Sequence, residues 1–413
     1  MSSGNFADIA VIGGGASGMI SALTARKYAP KARIVILERL AKTGKKLLAT
    51  GNGKCNLSNK NISADSYHGS VKNVMDIIGK TGDTRELFQS MGVMCIADSQ
   101  GRIYPHSESS ASVVGALRMA LAEADIEEIC NAEVTDFFKK NNGYRLTFGD
   151  SFLDCARVII ATGGYASPSF GTDGAFLRLL KAKGYKTGKI CPAVAPLRVS
   201  PEEVKGLKGV RAKGRISAVS EGKILRSETG EIQFTENSLS GICVFNLAYL
   251  YSQYKGKLTL SADLMPESSY EKLEEMIYCI QSARSNQPLE ELLTGVFTKN
   301  LAVYLVKKAL GRPLNERIST LKYNEVKAIC SVIKKLEFKV TGASSWQNAQ
   351  VTSGGIHGSC VDDKLESVLH RGVYFCGEIL DTDGLCGGYN LEWAWSSGVF
   401  AGRNCAKSLK NGA

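Results

Sequence analysis

Apolar and polar positions change period three times within the first forty residues. Ala7-Asp8-Ile9-Ala10-Val11-Ile12 is a short apolar run, Gly13 to Gly18 is a glycine turn, Met19 to Ala29 has helical spacing, and Arg33-Ile34-Val35-Ile36-Leu37-Glu38 is a second apolar run. The pattern predicts strand, turn, helix, strand. A right-handed crossover then lays the two strands parallel in one sheet. Residues 44–60 (GKKLLATGNGKCNLSNK) are too rich in glycine and asparagine for a regular element and predict a long loop. Helical spacing follows at about 71–91 and 110–124. Residues 132–137 and 144–148 then alternate like antiparallel strands, and Arg157 to Ala161 is a continuous apolar strand entering Thr162-Gly163-Gly164.

The texture changes near 190. Short strand-like segments with lysine-rich turns run to about 262, a helical stretch follows from about 269 to 336, and strands and glycines return near 340. This predicts an α/β fold in which a sheet domain, residues 1–189, is interrupted by an inserted domain at 190–340 with a β part and a helical part, and is completed by 341–413.

Composition narrows the class. With 413 residues, 44% hydrophobic and 22% charged, the chain is ordinary globular protein, and its 43 glycines point to backbone lying close to a ligand. The net charge of +11 is spread, with no basic run longer than two, so an anionic ligand accounts for it as well as nucleic acid does. Nucleic acid is therefore not the expected partner. The 12 cysteines form no CxxC pair and no metal-ligand spacing, and the chain passes almost at once from Met1 into strand-like residues without a signal pattern. A reduced cytoplasmic protein without a metal site is expected. No stretch approaches the ~18 apolar residues of a membrane span. Nothing in the pattern fixes an oligomeric state.

The chemistry lies in the glycine turn. Gly13-x-Gly15-x-x-Gly18 falls between strand and helix, and Glu38 ends the next strand 20 residues after Gly18. In a dinucleotide fold the first glycine makes the turn, the second admits the pyrophosphate to the backbone, and the third lets the helix pack closely. Free N–H groups at the helix start favour an anion there. Glu38 would accept hydrogen bonds from the ribose hydroxyls. Near the C-terminus, Val373-Tyr374-Phe375-Cys376 leads into Gly377-Glu378, and Gly387-Gly388 opens a helix near Asn390. A helix start aimed at a flavin stabilises the negative charge of its reduced ring.

The blocks GGGASG (13–18), GKKLLATGNGKCN (44–56), GRIYPHSESS (101–110), ATGGYASPSFGTDG (161–174), PAVAPL (192–197), GEIQFTENSLSG (230–241), VTSGGI (351–356) and GEILDTDGLCGGYNLEWAWSSG (377–398) resemble the BaiN-like, or aminoacetone-oxidase-like, FAD-binding oxidoreductases, in order and over nearly the whole chain. The resemblance implies non-covalent FAD in a Rossmann-type domain and a substrate-covering insert. It also implies cofactor roles for Gly13, Gly15, Ala16, Ser17, Gly18, Glu38 and Arg39 on the pyrophosphate and adenosine side, and for Val134, whose backbone would meet the adenine. Lys46, Gly51, Gly53, Cys55 and Asn56 would lie in the loop beside the flavin. Thr162 and Gly163 would border the cofactor, and Gly377, Glu378, Asn390 and Leu391 would face the ribityl chain and ring. Cys386 stands where the family commonly has threonine, and the segment after Pro168 is shorter than usual.

Cys55 is expected to be a packed thiol, and Trp393 and Trp395 are expected to be core. His106 and His357 are the histidines nearest the family blocks and are candidate proton carriers. Only one strand-anchored GxGxxG is present, so a nicotinamide donor, NAD(P)H, would dock transiently. The leading expectation is a reductase that passes electrons from NAD(P)H through FAD to an unsaturated, steroid-like (bile-acid type) small molecule. An oxidase of small amines, and a flavin-bearing RNA-binding or sensor protein without turnover, are the alternatives.

Overall fold

The computed structural model describes residues 5–254 and 256–410. The chain packs as two units: one is built from the chain up to Pro192 and from Trp346 onward, the other from Ala193–Ser345.

The first unit is α/β. Its seven-stranded sheet has the order Glu127–Ile129, Ile34–Leu37, Phe6–Ile12, Ser151–Ile160, Gly143–Phe148, Val134–Lys140, and Val373–Phe375 also pairs with Ser151–Ile160. Phe6–Ile12 is parallel to both neighbours, as the crossover rule requires. The long Ser151–Ile160 strand is shared: Ser151 to Cys155 pair antiparallel with Phe148 to Tyr144, and Val158 to Ile160 pair parallel with Val373 to Phe375. Ile9, Ala10, Val11, Val35, Ile36, Val158 and Ile159 are all buried, so both faces of the central strands are covered and their uninterrupted aliphatic sequence is explained.

Register positions the site. Ile12 is level with Leu37 and with Ile160, and Ile160 is level with Phe375. Gly13, Glu38, Ala161 and Cys376 therefore leave the sheet at the same carboxyl edge, where open parallel sheets hold their ligands. The Tyr389–Lys410 helix lies against the Ala16–Tyr28 helix, and Gly398 and Gly402 make the approach possible, because a β-carbon on either would run into the carbonyl of Ser17 or Ser21.

The second unit is a closed six-stranded barrel, Leu197–Val199, Ser238–Ser240, Lys223–Phe234, Arg211–Ser220, Thr259–Asp263 and Leu336–Ala343, with helices Tyr270–Ala283, Lys299–Leu310 and Tyr323–Lys334. It has its own core, which includes Ile216, Leu260, Phe234 and Phe338.

Three local expectations change. The helix expected over 71–91 breaks into Val74–Thr81 and Thr84–Gln89 at Gly82, which has φ +88°, and Asp83 caps the second piece by accepting from the Arg85 N–H. The loop at 44–60 contains a 3-10 turn, Lys46–Gly53, and a short strand, Ser58–Asn59, paired with Arg102 and Ile103. The helical stretch ends at Lys334, and Leu336–Ala343 is a strand that closes the barrel. No described helix is long and apolar enough to cross a membrane.

Candidate functional site

The three glycines of the turn have three distinct surroundings. Gly13 has φ +101°, and a β-carbon there would fall 2.6 Å from the Ala161 carbonyl oxygen. A β-carbon on Gly18 would overlap the Gly13 carbonyl. Gly15 precedes the Ala16–Tyr28 helix with no side-chain cap, and a β-carbon there would meet nothing within 4 Å. Gly13 and Gly18 are thus fixed by the protein's own packing, whereas Gly15 faces open space at an uncapped helix start, where a phosphate fits. Ser17 is buried in the first turn and its hydroxyl donates, at 3.4 Å, to the Cys376 carbonyl.

Glu38 closes this end. Its Oε2 accepts from the Gly14 N–H and its Oε1 from the Leu40 N–H, both at 2.8 Å. Burial pushes its pKa up, against the lowering effect of those two N–H groups. Val134 is buried, and the Ala132 N–H donates to the Glu38 carbonyl, so the start of the Val134–Lys140 strand lies beside Glu38. Arg39 is turned aside: its guanidinium pairs with Asp173 at 2.9 Å and Glu133 at 3.2 Å.

Two residues of the glycine-rich loop, Lys46 and Asn56, reach the C-terminal segment. Gly51 and Gly53 both have positive φ, and Gly53 has open space where a β-carbon would stand. Lys46 pairs with Glu378 at 2.8 Å, and the second Glu378 oxygen accepts from the Thr352 N–H at 3.0 Å. Cys55 is fully buried, and burial pushes its thiol up to about 11. A β-carbon on Gly388 would lie 2.8 Å from Asn56 Oδ1, so the Asn56 side chain meets the turn that opens the last helix. Asn390 holds that turn, accepting from the Gly384 N–H at 2.8 Å and donating to the Gly384 and Leu385 carbonyls. Leu391 is partly buried against the core. Gly377 has φ +77°, donates to Ser397 Oγ, and sits against Ser17.

Two buried polar atoms at this edge, Thr162 Oγ1 and Asn56 Oδ1, have no hydrogen-bond partner among the described residues. Gly163, next to Thr162, has φ +70°. Orphaned buried groups together with an open glycine cradle fit a bound dinucleotide. The indoles of Trp393 and Trp395 are buried and donate to the Gly377 and Leu57 carbonyls, so both are core residues. His106 is exposed on a loop, and His357 Nδ1 accepts from the Ser359 N–H at 3.2 Å. Among the described residues no group of histidines, cysteines and carboxylates could hold a metal.

A cluster that no periodicity in the sequence marks lies beside the last turn. Thr382–Gly384 pairs antiparallel with Tyr67–Gly69, which brings Asp383 opposite His68 and buries Asp381 against Ser70. The available signal was the acidic DTDG directly ahead of the glycine pair.

Residues 7–404 match the family model described as HI0933-like protein Rossmann domain. Among known proteins, 3-dehydro-bile acid delta(4,6)-reductase of Clostridium scindens is 34% identical over 97% of this chain and 99% of its own. Ribosomal RNA dihydrouridine synthase of Escherichia coli is 25% identical over 94% of this chain and 96% of its own. Among solved structures, an Escherichia coli quinol fumarate reductase superposes with a TM-score of 0.53 at 15% identity, covering 99% of this chain and 71% of that one, a likeness of fold.

Proposed function

We propose, from the premise that the chain belongs to the HI0933-like Rossmann family and is an FAD-dependent oxidoreductase, that it reduces a carbon–carbon double bond conjugated to a carbonyl in a steroid-like, bile-acid type small molecule, with NAD(P)H as electron donor. The reading without turnover is thereby set aside. The observation behind the substrate class is the end-to-end likeness to the bile acid reductase, joined to the glycine cradle at the carboxyl edge. Bound FAD would supply the hydride acceptor and donor.

The chain's own residues would bind and orient it. Gly15 and the first helical turn, Ala16 to Gly18, would take the pyrophosphate, and Glu38 the ribose. Lys46, Asn56, Thr162, Glu378 and Asn390 would line the ribityl and ring end. The buried thiols Cys155, Cys330 and Cys405 carry no disulfide, as would suit a reducing compartment such as the cytoplasm.

A second reading has support of its own. The dihydrouridine synthase relative also spans nearly the whole chain, and its name describes saturation of a conjugated pyrimidine double bond. A net charge of +11 would favour an RNA substrate. One experiment separates the two. The flavin is reduced anaerobically with NADPH or NADH and then mixed with a 3-oxo-Δ4 bile acid or with unmodified ribosomal RNA. Rapid reoxidation by the bile acid alone is the expected result, reoxidation by RNA alone would transfer the assignment, and failure of both nicotinamides to bleach the flavin would remove the donor.

A further inference from the structure

The reduction proposed above needs a proton as well as a hydride, and neither histidine singled out in the sequence pairs with a carboxylate among the described residues. His106 is an exposed loop residue, and the Nδ1 of His357 is used by its own turn. A third histidine is placed otherwise. His68 lies on the Tyr67–Gly69 strand opposite Asp383, its Nδ1 3.4 Å from Asp383 Oδ2, and its side chain keeps 14% of its exposure while the Asp383 side chain keeps 2%. The other carboxylate oxygen, Asp383 Oδ1, is buried and has no hydrogen-bond partner among the described residues. A carboxylate left in that state inside a protein is costly unless a cation or donor comes to it.

This pair adjoins the ring end of the candidate cofactor site. Gly384, next to Asp383, is clamped by the Asn390 side chain through both its N–H and its carbonyl, and Tyr67, next to His68, donates its hydroxyl to the Tyr389 carbonyl at the start of the last helix. The short strand pair thus hangs its histidine and its acid from the helix start that would face the flavin. A distance of 3.4 Å is at the long end for a bond between these groups.

We infer that His68 is the proton donor of the reduction and that Asp383 is its positioning residue, an assignment that rests on the reductase reading. Bound FAD would supply the hydride for one carbon of the substrate's double bond, and His68 would give the proton to the other. The two electrons come from NAD(P)H, and solvent returns the proton to His68. Asp383 fixes the ring orientation and balances the imidazolium.

The test begins on the cofactor-free protein. With only four histidines in the chain, ring-nitrogen NMR signals of His68 are identified by their loss in His68→Gln. Asp383→Asn should displace the His68 signals and leave those of His106 in place, and unchanged His68 signals would overturn the pairing. The FAD-loaded protein is then reduced anaerobically and reoxidised with the unsaturated substrate. In His68→Gln that second step should slow about 100-fold or more, the usual reach of a general acid, with a smaller loss in Asp383→Asn. His68→Asn, which keeps a donor toward Asp383 but no transferable proton, should match His68→Gln and guards against a folding artefact. Reoxidation of both His68 variants at the parental rate would sink the donor assignment alone. A parent protein reoxidised by neither bile acid nor RNA would sink the reductase reading, and the donor role with it.

Discussion

Lys46 and Glu378 are 332 residues apart in sequence and meet at 2.8 Å, joining the glycine-rich loop to the strand end that completes the sheet domain. About a fifth of each side chain is exposed, so the pair is neither a solvated surface bridge nor a fully buried one. Glu378 is held from two directions, because its other oxygen accepts from the Thr352 N–H. Lys46→Met should leave the carboxylate half-satisfied and weaken FAD binding by about 1–3 kcal/mol. Combining it with Glu378→Gln should cost less than the sum of the two single changes. Flavin titration of all four proteins measures this, and strict additivity would mean that the two residues act independently.

Gly15 and Gly18 should separate binding from folding. A β-carbon at Gly15 meets no protein atom within 4 Å, so Gly15→Val should fold with a melting temperature close to that of the parent apoprotein and fail to bind FAD, its new side chain filling the phosphate space. A side chain at Gly18 would press on the Gly13 carbonyl and should destabilise the apoprotein by about 1–3 kcal/mol or more. A yellow Gly15→Val protein with parental affinity would place the pyrophosphate elsewhere.

What was legible follows from how local each signal is. Gly13, Gly15, Gly18 and Glu38 lie in one strand–turn–helix–strand unit, so their spacing alone brought them to one edge. The Leu336–Ala343 strand was readable too, since Leu336-Glu337-Phe338-Lys339-Val340 alternates buried and exposed, but it follows a lysine-rich helix end without a turn signal. Arg39 could not be placed from sequence: Asp173 and Glu133, which draw its guanidinium aside, are distant in the chain. Nor could His68 be matched with Asp383. They lie 315 residues apart on strands of three residues each, too short to show a period.

Cys55 should be chemically quiet. Its thiol, pushed up to about 11 by burial, would be ionised in roughly one molecule in a thousand at pH 8, too little for ready attack on a flavin or an alkylating reagent. Mild thiol labelling of the folded protein should modify the exposed Cys279 first and leave Cys55 untouched. Cys55→Ala should still release all of its FAD on acid denaturation. Flavin retained by the parent after acid, and lost from the variant, would show a covalent bond at this residue.

Asp381 should make the apoprotein less stable as pH rises. Its pKa is raised from 3.8, first by burial and then by the neighbouring Asp383 charge, with the Ser70 hydroxyl and His357 opposing. The folded protein therefore holds this proton more tightly than the unfolded chain does. The stabilisation is complete below about 3.8 and is lost as pH climbs through the raised folded value, because the folded state binds more protons in that window. Asp381→Asn copies the protonated form and can still accept from Ser70. Its melting temperature should meet or exceed the parent's at pH 7, and the gap should narrow toward pH 4. Because carboxylates distant from this site titrate alike in both proteins, the difference between the two melting curves isolates Asp381 together with its coupling to the neighbouring Asp383. A variant that melts below the parent by the same margin at every pH would show that the Asp381 carboxylate is a structural hydrogen-bond partner whose charge carries no cost.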